Sequence, residues 1–139
     1  MAVITKTIHV STKGDTDIID ITTDVNRELG KTKLNEGIVC ISIPGSTAGI
    51  TTCEYEPGLI KDLKEVFQKL APQGKPYHHD DTWHDGNGHA HVRASLLGGS
   101  ATFPFSKSQL ILGTWQQIIL IDFDNHPRQR KIILQFVGE

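Results

Sequence analysis

The chain has 139 residues, 37% of them hydrophobic and 22% charged, with 14 Lys+Arg against 16 Asp+Glu, a net charge of -2 with histidines neutral. That length suits one compact domain able to bury roughly two-thirds of the surface it exposes unfolded, which argues against disorder and fibrous repeats. Near balance of charge and the lack of a long Lys/Arg run exclude the electrostatic footprint of a nucleic-acid or anionic-membrane binder. No stretch approaches the ~20 apolar residues of a membrane span, and Met1 to Val10 lacks a signal-peptide core, so a cytoplasmic setting is expected. Cys40 and Cys53 sit in apolar segments without a CxxC spacing, against a disulfide framework or a thiolate zinc site.

In chain order, Val3 to Val10 alternates as a half-buried strand, with Ile4, Ile8 and Val10 on one face. Gly14-Asp15 turns it, and Ile18 to Ile21 is a second, short β-branched run. Thr22, Thr23 and Asp24 offer capping oxygens to a helix through Leu29, with Gly30 placed to end it. Gly37 to Ile43 reads as a buried strand, broken by Pro44-Gly45 before a run from Ile50 to Tyr55; a hairpin or kinked strand pair fits.

Leu59, Ile60, Leu63, Val66, Phe67 and Leu70 describe one helical stripe. Pro57 suits its first turn, and Ala71-Pro72-Gln73-Gly74 stops it. After a polar stretch from Tyr77 to Asn87, Ala90 to Leu97 returns to apolar character. As a strand it would put His89, His91 and Arg93 on one face; as a helix, Asn87 is the N-cap and Gly98 the stop. Ala, Leu and Arg, with both cap signals, favour the helix. Strands are expected over Ala101 to Phe105, Gln109 to Gly113, Gln117 to Phe123 and Gln129 to Val137. Turns this short cannot make parallel crossovers. The expected fold is therefore α+β, a single domain with a mostly antiparallel sheet and two or three helices packed on it.

Five of the seven histidines fall in the run YHHDDTWHDGNGHAHV. Neutral imidazole binds divalent metals and moves protons near neutral pH, and Asp80, Asp81 and Asp85 are available to complete or orient a coordination shell. The spacing matches no named zinc signature, and exposed loop histidines would leave the same pattern. Asp85-Gly-Asn-Gly leads into the helix beginning near Asn87, whose free N–H groups suit an anion such as phosphate, with Arg93 a turn later; ordinary capping explains the same residues. Pro44 to Gly49 offers the hydroxyls of Ser46 and Thr47 but no P-loop lysine. Glu54, Glu56 and Trp115 are ambiguous between binding and structural roles.

The blocks GSTAGITTCEYEPGLIKDL, YHHD, HDGNGHAHVRASLLGGS, GTWQQIILIDFD and RQRKIILQFVGE together resemble the YjbQ-like family, uncharacterised protein family UPF0047. The resemblance implies a small α+β homotrimer with weak thiamine-phosphate synthase activity in some members. By motif position it implies catalytic roles for His79, Asp80, His91 and Glu54, and substrate contacts from Arg93, Trp115 and Gln116, to which the local reading adds the hydroxyls of Ser46 and Thr47 and Asn87 at the helix start. Many members carry His where this chain has Gly45, so His89, with His84 in reserve, is taken to replace it. The expected site is then a divalent metal, zinc for example, on His79, His89 and His91. The leading expectation is an enzyme acting on a phosphorylated small molecule; the alternative is a non-catalytic trimeric protein that captures a metal ion or phosphometabolite.

Overall fold

A computed structural model describes residues 1–139. Eight strands and four helices follow one another as β1 (Ala2–Thr12), β2 (Asp17–Asp20), α1 (Thr22–Thr32), β3 (Glu36–Ser42), β4 (Ala48–Cys53), α2 (Pro57–Leu70), α3 (His78–Trp83), α4 (Gly88–Leu97), β5 (Ser100–Ser106), β6 (Gln109–Leu110), β7 (Gln117–Asp122) and β8 (Arg128–Gly138). They build two antiparallel sheets, one ordered β1-β8-β3-β5-β6 and the other β2-β7-β4. The α+β, antiparallel architecture is the one expected, with one helix more.

The layering follows from side-chain parity. Strand β7 is apolar along most of its length and buried on both faces, as a continuous β-branched run requires. Ile118 and Leu120 enter a core with Ile8, Val39, Ile41, Leu134 and Phe136 of the larger sheet and with Val25 and Leu29 of α1. Ile119 and Ile121, on the other parity, pack with Phe67 of α2 and with Ala90 and Ala94 of α4. The small sheet is thus the middle of three layers, between the large sheet and the helices α2 and α4.

Four local expectations change. Helix α1 passes through Gly30 and ends at Lys33, which takes the left-handed conformation at φ 60. At its start, Asp20 Oδ1 accepts the Thr22 N–H at 2.9 Å, and Thr22 Oγ1 instead accepts the Ile118 N–H at 2.8 Å. Strands β3 and β4 form no hairpin, because the chain changes sheets at Pro44 to Thr47. The strand begun at Gln109 stops at Leu110.

Helix α2 has the expected bounds, and Glu56 accepts the Gly58 and Leu59 N–H groups at 2.7 and 2.8 Å. Its buried face, however, is Ile60, Leu63 and Phe67, spaced i, i+3, i+7. Val66 and Leu70 are 48% and 64% exposed. Six apolar residues spread over about three turns make a stripe broader than the face that meets the sheet, and packing selects its Phe67 edge.

Candidate functional site

The polar stretch from Tyr77 to Asn87 is a short helix and a tight loop folded against the start of α4. Tyr77 Oη donates to the Pro72 carbonyl at 2.7 Å, and the Tyr77 side chain sits where a Cβ on Gly88 would be, so only glycine admits this approach. Asp80 Oδ1 accepts the Gly88 N–H at 3.1 Å and Asp85 Oδ1 the Asn87 N–H at 3.2 Å. The Gly88 N–H at the head of α4, expected to be open to an external anion, is therefore taken by Asp80, and Asp85 holds the N–H just before it.

That fold brings His79 of α3 against His91 of α4, ring centroids 4.2 Å apart and planes inclined by 35°. His79 Nδ1 is buried without a hydrogen-bond partner. It lies 3.6 Å from Asp85 Oδ1 and 3.8 Å from Asp80 Oδ1, and one donor atom from each of the three residues falls within 4.8 Å of the others. An orphaned imidazole nitrogen between two carboxylates is a donor set that fits a divalent cation. Burial, reinforced by the neighbouring His79, pushes the His91 pKa below the ordinary histidine value. His91 is therefore neutral at neutral pH.

The expected ligand trio of His79, His89 and His91 is not assembled. In a helix, residues two apart point to different sides; His89 turns into the interior and His91 outward to the cleft. His89 Nε2 is buried and unpartnered, and burial, then Arg93, lowers its pKa. His84, at φ 53 after α3, is exposed and outside the cluster. Arg93 is not free for phosphate either. Its Nε donates to the Ala71 carbonyl at 2.9 Å and Nη1 to Thr16 Oγ1 at 2.8 Å, both buried, and Nη2 donates to Gln68 Oε1 at 2.8 Å nearer the surface.

His91 opens on a cleft of about 320 Å³ lined by Gly45, Ser46, Thr47, Asp85, Asn87, Asp124, Arg128 and Arg130. Two ion pairs floor it. Arg130 engages the fully buried Asp122 through Nε–Oδ2 at 2.7 Å and Nη2–Oδ1 at 3.0 Å. Arg128 Nε lies 3.2 Å from Asp124 Oδ2. Thr47 Oγ1 donates to Asp124 Oδ2 at 2.9 Å and accepts from Arg130 Nη2 at 2.7 Å. Burial pushes the Asp124 pKa up, but hydrogen bonds from Arg128, Thr47, the His126 N–H and Asn87 outweigh it and hold the carboxyl below its ordinary value. Asn87 Oδ1 accepts the Asn125 N–H at 3.1 Å, tying the loop before α4 to the β7–β8 turn.

These four residues were missed by the sequence reading. Their signal was present in DFDNHPRQR: two acids and two arginines at period two, mirrored about Asn125-His126-Pro127.

Glu54, Trp115 and Gln116 lie elsewhere. Glu54 and Trp115, with Asp20, Tyr55 and Gln117, border a second cleft of about 350 Å³ at the far end of the β4–β7 ladder. Five register steps separate Ala48↔Asp122 from Cys53↔Gln117, about 17 Å at ~3.4 Å per residue. Gln116 is occupied locally, accepting the Gly113 N–H at 2.9 Å.

Two stacked antiparallel sheets carrying a His–Asp–Asp cluster beside an arginine-floored cleft define a class of small α+β proteins with a polar surface site. Residues 6–139 match the family described as UPF0047 protein YjbQ-like, and the chain belongs to that family. A UPF0047 protein of Archaeoglobus fulgidus is 40% identical over 119 residues, 86% of this chain and 90% of that one. One from Methanothermobacter thermautotrophicus is 33% identical over 139 residues, 100% of this chain and 95% of its own. Among solved structures, a YbjQ-like protein of unknown function from Sulfolobus solfataricus P2 superposes with a TM-score of 0.93 at 33% identity, covering 99% of both chains. A hypothetical protein from Aeropyrum pernix K1 gives 0.90 at 32% identity, covering 98% of this chain and 99% of that one.

Proposed function

We propose that the chain is an enzyme acting on a phosphorylated small molecule at the His79–His91 cleft, with a divalent metal, zinc for example, held by His79, Asp80 and Asp85. The observation that carries this reading is His79 Nδ1, buried, unpartnered and flanked by two carboxylates at 3.6 and 3.8 Å. A buried polar atom left without a partner costs free energy that a bound cation would recover. When bound, such an ion supplies Lewis-acid charge for a phosphoryl oxygen.

The chain's own residues do the rest. His91, neutral and stacked on His79, accepts or returns a proton at the cleft mouth. Ser46 presents an exposed hydroxyl, while Thr47 and Asn87 hold the floor in place through Asp124 and Asn125. Thiamine-phosphate synthase is the activity that family resemblance implies, and departure of a diphosphate makes the charge demand this cleft suits. A cytoplasmic homotrimer completes the reading. In it the Glu54–Trp115 end of one protomer is free to join the His79–His91 end of another.

The test is zinc titration at neutral pH together with turnover of a pyrimidine diphosphate and a thiazole phosphate by the purified protein. Wild type should bind zinc and turn over; His79→Ala should lose both, and light scattering should give a trimer. Tight zinc and phosphate-ester binding with no turnover would make the protein a capture module. A failure to bind zinc ends the metal assignment.

A further inference from the structure

The cleft and its immediate surroundings hold opposed charges in unequal number. The cleft lining sets Asp85 and Asp124 against the guanidinium groups of Arg128 and Arg130, and two further carboxylates stand just outside it, Asp80 in the adjoining cluster and the buried Asp122 under Arg130, so the region as a whole carries an excess of two negative charges. An anion entering this field alone is repelled. Yet the arginines are only partly spent. Arg130 uses Nε and Nη2, and its Nη1 faces Gly45, where a Cβ would stand only 3.2 Å away. Gly45 is at φ 119, a conformation natural to glycine, and its missing side chain leaves Nη1 open to the cleft. The Arg128 side chain is 49% exposed and turns only its Nε and Nη2 toward Asp124.

We propose that Arg128 and Arg130, with Ser46 beside them, form a phosphoryl-binding fork that attracts a phosphate ester only when a divalent cation occupies His79, Asp80 and Asp85. The inference rests on the metal reading above. Asp85 belongs both to the cluster and to the lining of the cleft, so a cation there acts on the same enclosed field as the fork. Two positive charges cancel the carboxylate excess, and a tetrahedral dianion then meets Nη1 of Arg130 together with Nη1 and the second Nη2 hydrogen of Arg128, the one guanidinium that still offers a bidentate edge. Linkage makes the effect mutual: the ester must tighten the metal by the same factor that the metal tightens the ester.

The experiment is calorimetric titration of the full-length chain with methyl phosphate, with and without saturating Zn²⁺, and with Zn²⁺, with and without methyl phosphate. Wild type should gain about tenfold or more in each direction. Arg128→Gln should bind Zn²⁺ alone no more weakly than wild type while losing about tenfold in Zn²⁺-dependent methyl phosphate affinity; Arg128→Lys, which keeps the charge without the fork, should fall between. Zinc binding without any change in methyl phosphate affinity overturns the coupling and leaves the metal reading standing. Unaltered ester affinity in Arg128→Gln, measured with zinc present, overturns the fork. No zinc binding to wild type removes both.

Discussion

His79 and His91 lie on different helices, twelve residues apart, yet their rings pack at a centroid distance of 4.2 Å. The contact exists because Gly88 admits Tyr77 and because Asp80 reaches across to cap α4. Breaking that cap should therefore act on the pair. Asp80→Ala is expected to lower stability by about 1 kcal/mol, the ordinary worth of a helix cap, and to abolish zinc binding, whereas Asp81→Ala, an exposed neighbour outside the cluster, should do neither. Chemical denaturation and zinc titration of the two variants decide it.

Arg93 should prove a brace rather than a ligand. Its bonds to Ala71 and Thr16 are buried and the one to Gln68 is part-buried, and truncation strands the buried partners, so Arg93→Ala should cost about 3 kcal/mol. Zinc and methyl phosphate affinities of the folded variant should stay near wild type. A selective loss of phosphate-ester binding at unchanged stability would return Arg93 to the site.

The Arg130–Asp122 pair predicts a larger penalty. With Asp122 fully buried, Arg130→Ala leaves an uncompensated carboxylate and should destabilise by about 3–5 kcal/mol. Urea midpoints would show this directly, and a loss under about 1 kcal/mol contradicts the assignment.

Helix α2 offers a test of the packing register. Phe67→Ala should cost about 3–5 kcal/mol, while Val66→Ala and Leu70→Ala, on the exposed side, should stay within about 0.5 kcal/mol. Equal costs at Leu70 and Phe67 would mean the broad stripe is buried after all.

His89 gives a pH signature. Burial, then Arg93, lowers its folded-state pKa below the unfolded value near ~6.5, so the unfolded chain binds the proton more readily. The contribution of neutral His89 is thus complete above ~6.5 and is lost as pH falls from there toward the folded-state value. His89→Gln should flatten the decline in unfolding free energy between neutral and mildly acidic pH. An identical slope in both proteins would show that another group sets it.

The strands and the α2 and α4 helices were legible because parity and cap residues act locally: Pro57 and Gly98 mark real ends. What escaped depends on distance in the chain. Nothing near Val66 reveals that Phe67, not Leu70, meets Phe123, since the choice belongs to the sheet beneath. Gly30 failed as a stop because Val25 and Leu29 before it and Leu34 just beyond the helix are all in the core, which outweighs the roughly 1 kcal/mol glycine costs in a helix. At the site, histidine density located the right segment but not the partners. His89 and His91 share a motif and face different ways, while Asp122 reads as the tail of an apolar strand and Asp124 as the residue just past it until Arg130 and Arg128 stand opposite them.

Because β7 is hydrogen-bonded on both edges and covered on both faces, its amides should be among the last in the molecule to exchange with solvent. Asp122 ends that strand and Asp124 follows two residues later, so half of the cleft is fastened to its slowest-opening part. The cluster that adjoins the cleft, carrying His79, rides on a six-residue helix that buries no residue fully. The His79 cluster is therefore the part held least firmly, against a β7 side held most firmly, and ligand-induced exchange protection is expected to concentrate in residues 77–87.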